Sequence, residues 1–138
     1  MGLEGITMNR EIKFRIWNNT IKYFVKNLNG EIATFTLLTL SDYLQRNSIT
    51  NIDDFTFLRY TGLQDKNGRE IYEGDIIKDL DEENLIIEFQ NGSFIANGKT
   101  IIPFWSMLVK NELVQPAMVN SQTFEVVGNV FENPELLK

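Results

Sequence analysis

Glu73 and Asp75, inside the stretch Tyr72-Glu73-Gly74-Asp75, are the residues of this sequence best spaced for chemistry. Two positions apart on an extended strand, they would share a face about 7 Å apart, a spacing that suits a general acid facing a general base. A structural reading competes with this one. Gly74 relaxes the backbone at a strand entry, and the two carboxylates solvate it or cap a neighbouring amide. The structural reading is the better one, because no further reactive group stands beside them in sequence. On that reading Gly74→Val unfolds or aggregates the protein, whereas Asp75→Asn leaves the melting temperature nearly unchanged.

The rest of the composition closes most other chemistries. The chain of 138 residues has no histidine and no cysteine. A Ser-His-Asp triad, a thiolate zinc site, a cysteine nucleophile and a disulfide are therefore all excluded. Asp65, Asn67 and Gly68 in "DKNG" offer hard oxygen ligands, but the further ligands and closing glutamate of a calcium loop are not in register, so the segment reads as a turn. The acidic run "DLDEEN", Asp79 to Asn84, reads as a solvated hairpin tip. No enzymatic activity, metal or cofactor is expected. Positive charge concentrates near the N-terminus, at Arg10, Lys13, Arg15, Lys22 and Lys26, among aromatic β-runs that could stack bases. The formal net charge of −6 works against a polyanion, which leaves Lys13, Arg15, Lys22 and Lys26 as the contacts of an alternative, nucleic-acid-binding reading.

These residues need elements to position them, and the patterning is that of strands. "REIKFRIW" alternates Ile12, Phe14 and Ile16 against Glu11, Lys13 and Arg15, as in a half-buried strand. Asn29-Gly30 predicts a two-residue hairpin turn within about residues 20–38. "TLSDYLQRN" breaks the alternation and predicts one short helix, with Ser41 as its N-cap. "FTFLRY" returns to period two. Asn-Gly recurs at Asn67, Asn91 and Asn97, so the runs "DIIKDL", "LIIEFQ", "SFIA" and "KTIIPFW" form an antiparallel meander. A loop follows at residues 111–121, and "TFEVVGNVF" closes the fold, with Gly128 at a bulge or a close backbone approach. Hydrophobic residues make up 43% of the chain and no apolar run approaches the length needed to cross a bilayer. Without the marks of a secretory signal, residues 1–8 read as a disordered leader or an expression scar. The expected fold is mainly β with a minor helix: antiparallel strands and hairpins in a small, partly open SH3-like barrel. It occupies residues 9–138 as a single domain, with the N-terminal strands and helix at 9–58 and the barrel-like part at 59–138.

Three segments carry a resemblance to a known family. "YTGLQDKNGREIYEGDI", Tyr60 to Ile76, resembles the signature of the YopX-like family of phage and prophage proteins. "REIKFRIWN", Arg10 to Asn18, is similar to the family's charged, aromatic opening strand. "EVVGNVFENPELL", Glu125 to Leu137, is similar to its closing run, with Val127, Val130 and Phe131 in place of the usual Ile, Ile and Tyr. The motif positions are Tyr60, Gly62, Asp65, Asn67, Gly68, Tyr72, Glu73, Gly74, Asp75, Gly128, Asn129, Asn133 and Pro134, read as structural. The resemblance implies a phage or prophage product acting in the cytoplasm of its bacterial host, self-associating, with no established activity and no catalytic residues to carry over. The expected function is a non-enzymatic accessory role, through binding to a host or phage protein.

Overall fold

The structure, a computed structural model, describes residues 12–103 and 123–138. The leader at residues 1–8, Arg10, Phe104, Trp105 and the loop at residues 111–121 lie outside the described residues.

The opening strand is β1 (Lys13–Asn18), followed by β2 (Tyr23–Phe24) and β3 (Phe35–Thr36). Both short strands pair antiparallel with β1 and not with each other, so the hairpin expected around Asn29-Gly30 is reduced to an isolated bridge between Lys26 and Ile32. The turn there is wider than two residues. Asn27 Oδ1 accepts from the backbone N–H groups of Asn29 and Glu31, at 2.9 and 3.0 Å, and only Gly30 takes a positive φ, +80°.

Helix α1 (Leu37–Arg46) begins earlier than "TLSDYLQRN" suggested. Thr36, not Ser41, is the N-cap. Thr39 N donates to Thr36 Oγ1 at 3.2 Å while Thr36 N donates to Thr39 Oγ1 at 2.8 Å, a reciprocal capping box that satisfies two amides the helix itself leaves open. Ser41 then falls inside the helix.

Strand β4 (Phe55–Gln64) pairs with β1 on one side and with β5 (Glu70–Tyr72) on the other, so the first sheet runs β2-β1-β4-β5, with β3 also on β1. The boundary read at residues 58 and 59 falls in the middle of β4. The second sheet is the expected meander of β6 (Asp75–Lys78), β7 (Asn84–Gln90), β8 (Ser93–Asn97) and β9 (Ile101–Pro103), closed by β10 (Glu125–Asn129) against β6. Every pairing among the described residues is antiparallel, and one sheet curls into a half-barrel. Of the four Asn-Gly pairs, only Asn91-Gly92 has both residues left-handed, at φ +52° and +80°, and it makes the tight β7–β8 turn. The acidic tip between β6 and β7 is closed by Asp79 Oδ1, which accepts from the N–H groups of Asp81 and Glu83.

Two apolar clusters hold the sheets. The larger gathers Ile71, Ile77, Leu85, Ile87, Phe94, Ala96, Ile102, Phe124 and Val126 inside the half-barrel region; the smaller sets Trp17, Phe24 and Leu58 against Ile32 and Phe131. Tyr23 is exposed, whereas Trp17, Phe24, Phe35, Tyr60, Tyr72 and Phe94 are buried, so among the described residues these aromatic side chains are mostly core and do not form an open stacking row.

Candidate functional site

Strand β1 is not half-buried. Ile16 and Trp17, on opposite faces, are both buried, and the charged side chains ahead of them, Lys13 and Arg15, are largely covered as well. The Lys13 ammonium lies 4.8 Å from the Tyr60 ring centroid and the Arg15 guanidinium carbon 4.0 Å from that of Tyr72, while the two rings stand 5.2 Å apart. Each cation also meets a carboxylate: Lys13 pairs with Glu70, and Arg15 Nη1 donates to Asp75 Oδ1 at 3.2 Å. Ring faces and paired carboxylates together replace the water these cations lose, which is why an alternating charged strand is covered on both sides.

Glu73 and Asp75 part company at Gly74. With φ at +88°, Gly74 turns the chain from β5 into β6, so the two carboxylates share no strand face. Asp75 is 2% exposed; its Oδ2 accepts from Tyr72 N at 2.8 Å and its Oδ1 from Arg15. Glu73 instead serves Arg59, accepting from its backbone N–H at 3.3 Å and standing 3.8 Å from its guanidinium. An acid facing a base over about 7 Å is therefore not the geometry present. The expectation of an indifferent Asp75→Asn is also corrected, since the carboxylate is a buried anchor and not a group solvating a surface turn.

Burial pushes the Asp75 carboxyl up to about 6, against the opposing pull of Arg15 and of the Tyr72 N–H. Burial likewise raises the Tyr72 hydroxyl above its ordinary range, reinforced by Glu70, whose Oε1 accepts from it at 3.0 Å. For Asp75 the folded value lies above the unfolded one. The native state thus holds more proton between pH about 4 and about 6, and this residue's contribution to stability rises as pH falls through that window. The expected result is a stability difference between the wild type and Asp75→Asn that widens by on the order of 2 kcal/mol from pH 7 to pH 4, read from urea unfolding at each pH.

Asp65 is the second buried carboxylate, 2% exposed. Its Oδ1 accepts from Asn67 N and Arg69 N at 2.8 and 2.9 Å, and its Oδ2 reaches across to Val126 N at 2.9 Å. The "DKNG" segment is accordingly a turn, with Gly68 at φ +83° donating its N–H to Asp65 O, and it is tied to β10. Gly62, at φ +88°, lies where the register of β4 shifts against β5 between Tyr60 and Gln64. The register of β10 against β6 shifts between Val126 and Gly128, where a Cβ on Gly128 would stand 2.6 Å from Asn133 Oδ1. Asn133 Oδ1 accepts from Asn129 N, and Asn129 Oδ1 accepts in turn from the N–H groups of Phe131 and Glu132. Pro134 opens the final 3₁₀ turn, Pro134–Leu137. Val130 N donates to Gly74 O at 2.9 Å, and Phe131 packs on Trp17 with ring centroids 5.0 Å apart.

The four cations of the nucleic-acid reading are not brought together. The Lys13 and Arg15 side chains are 13% and 18% exposed within their pairs, whereas Lys22 and Lys26 are exposed in the β1–β2 turn and at the isolated bridge. Among the described residues no group of three or more His, Cys, Asp or Glu side chains could hold a metal ion. One feature was not read from the sequence: a cleft of about 250 Å³ beside the Arg15–Asp75 pair, which adds Arg69, Gly128, Asn129, Glu132 and Asn133 to its walls. Arg69 carried no signal beyond lying inside the Tyr60–Ile76 run.

The family model described as YopX protein matches residues 13–138. The chain belongs to the YopX family. As a YopX-family protein it is similar to the crystal structure of protein EF1440 from Enterococcus faecalis, at 20% identity over 92% of this chain and 98% of that one, with a TM-score of 0.50. That likeness concerns the fold alone. Protein yopX from Bacillus subtilis is 16% identical over 91% of this chain and 98% of its own, with a TM-score of 0.46. No curated protein matches. The YopX-like segments identified in the sequence are the ones the fold draws together: the opening strand through Trp17, the central run through Asp65 and Gly74, and the closing run through Val126, Val130 and Phe131. Among the described residues no helix is long and apolar enough to cross a membrane.

Proposed function

We propose that this YopX-family protein is a non-enzymatic interaction module that binds another protein and self-associates, in the setting the resemblance implies, a phage or prophage product in a bacterial cytoplasm. The observation that carries this reading is helix α1. It is amphipathic, yet none of its residues is buried: Tyr43 packs on Phe35 at 5.2 Å while Leu37 and Leu38 are 60% and 80% exposed. Adjacent apolar side chains left in water lose the roughly 25 cal/mol per Å² that burial against a partner would return. The net charge of −6 suits a protein partner better than a polyanion. The nucleic-acid alternative needs Lys13 and Arg15 as free cations, and both are paired with Glu70 and Asp75.

Affinity capture from host lysate tests it, using the tagged protein and a Leu37→Glu, Leu38→Glu variant, with and without nuclease. A stoichiometric protein that survives nuclease and is lost, by about tenfold or more, in the variant is the expected result. Recovery that vanishes with nuclease and falls steeply with salt would overturn the reading in favour of nucleic acid. Sedimentation of the same two proteins reports self-association directly.

A further inference from the structure

We propose that the groove between the open edges of β4 and β7 takes up an extended segment of another protein as an added strand, with a basic side chain of that segment beside Glu88. The two sheets are laced together at Glu73 and Gly74: Glu73 N donates to Arg59 O at 2.8 Å, and Gly74 N donates to Ile87 O at 2.7 Å. Past that lacing both strands run on. β4 reaches back to Phe55 with β1 on one side, and β7 runs forward to Gln90 with β8 on one side, because β5 ends at Tyr72 and β6 begins at Asp75. Backbone groups alternate in direction along a strand, so the N–H and C=O of Phe57 point the same way as Arg59 O, and those of Phe89 the same way as Ile87 O. Among the described residues no strand pairs with either edge there.

An open edge is a template for a further strand, and the groove supplies what makes the addition selective. It measures about 390 Å³, and its walls include Leu58, Phe89, Val130 and Phe131 together with Glu73 and Glu88. Unpaired main-chain donors and acceptors beside apolar walls suit an extended polypeptide better than a small apolar molecule. Charge selects among polypeptides. Glu73 already has its cation, since the Arg59 guanidinium stands 3.8 Å from it and lies 4.1 Å over the Phe89 ring. Glu88 has no cation among the described residues; its Oε1 accepts from the side-chain amides of Gln90 and Asn97, both at 2.9 Å. A lysine or arginine complements that carboxylate. Alternation along the added strand sets this side chain opposite the apolar ones that face Leu58 and Phe131. The inference rests on the interaction reading above only in taking the occupant to be a protein; it makes no use of α1.

The test is a titration of the ¹⁵N-labelled full-length protein, followed at the Phe57 and Phe89 amides. The probe is a capped heptapeptide that alternates valine and threonine, with arginine in place of its central threonine. Two copies serve as controls, one with glutamate in place of the arginine and one N-methylated along its backbone. Saturable shifts with the arginine peptide are expected, with an apparent Kd about fivefold or more weaker for the glutamate copy and no saturable response to the N-methylated one. Glu88→Gln shrinks the difference between the arginine and glutamate peptides without removing the shifts, which separates the charge contact from the strand pairing. Absence of saturable shifts with the arginine peptide, equal binding of the N-methylated copy, or no preference for arginine over glutamate would overturn the proposal. Shifts at Phe57 and Phe89 that grow with protein concentration alone would give the edges to a second copy of the chain and overturn it too. The Leu37→Glu, Leu38→Glu variant is expected to bind the peptide as the wild type does. If lysate capture yields no partner while the arginine peptide still binds, the reading through α1 fails and the groove stands. If a partner is captured and the peptide gives no response, the groove alone fails.

Discussion

Gly74→Val is expected to lower the thermal midpoint by about 10 °C or more, or to abolish folding. At φ +88° an L-residue is strained by roughly 1–2 kcal/mol, and a β-branched one by more. Space is also lacking: a Cβ at this position would lie 3.0 Å from Phe131 Cε2 and 3.7 Å from both Leu58 Cδ2 and Val130 Cγ2. The two γ-methyl groups of valine would be driven into the same packing, adding roughly 1–3 kcal/mol of overpacking. A sum of about 3–5 kcal/mol is a large part of the roughly 5–15 kcal/mol that holds a typical domain. Gly30→Ala isolates the strain, since Gly30 has φ +80° with nothing within 4 Å of where its methyl group would stand, and about 1 kcal/mol is expected there. Comparison with Gly74→Ala by circular dichroism melts reads the clash as the difference. Equal losses at the two glycines would mean that Phe131 gives way freely.

Asp75→Ala is expected to cost about 3–5 kcal/mol, and Asp75→Asn a smaller but measurable part of that. Alanine leaves the buried Tyr72 N–H without an acceptor and Arg15 without its carboxylate. Asparagine keeps one acceptor oxygen where two are needed, and turns an N–H₂ toward either Tyr72 N or the guanidinium. A protonated Asp75 keeps acceptor capacity on both oxygens, so acidification through about pH 6 is expected to leave this site intact where the amide does not. At neutral pH the order wild type, Asn, Ala in falling Tm checks the argument; an Asn variant that melts with the wild type would show that Arg15 gains nothing from its partner. Arg15→Met combined with Asp75→Ala is expected to cost less than the sum of the single changes, because neither charge is then left alone.

The legible part of this fold was local. Alternating runs separated by glycine turns specified the β6–β9 meander, because side-chain period and turn conformation are both set within a few residues. The bulge at Gly128 was legible for the same reason. Thr36 is not singled out as the cap by the sequence, because two threonines three apart can close a helix as well as a Ser at a later position; in the fold the Thr36–Thr39 box forms and Phe35 packs on Tyr43 beside it. The pairing of Glu73 with Asp75 failed because it assumed extended backbone through Gly74, where the glycine takes the one conformation that separates them.

By itself, then, the sequence determined the antiparallel β architecture, where the β6–β9 meander turns and the exclusion of histidine and cysteine chemistry, since these depend on residue type and near neighbours. Tertiary structure alone decided which charges are buried. Lys13 meets Glu70 across 57 residues, Arg15 meets Asp75 across 60 and Asp65 meets Val126 across 61. An alternating strand presents its lysine and arginine to whatever lies beyond it, and a carboxylate and a tyrosine ring replace water there only when strands distant in the chain close over that face.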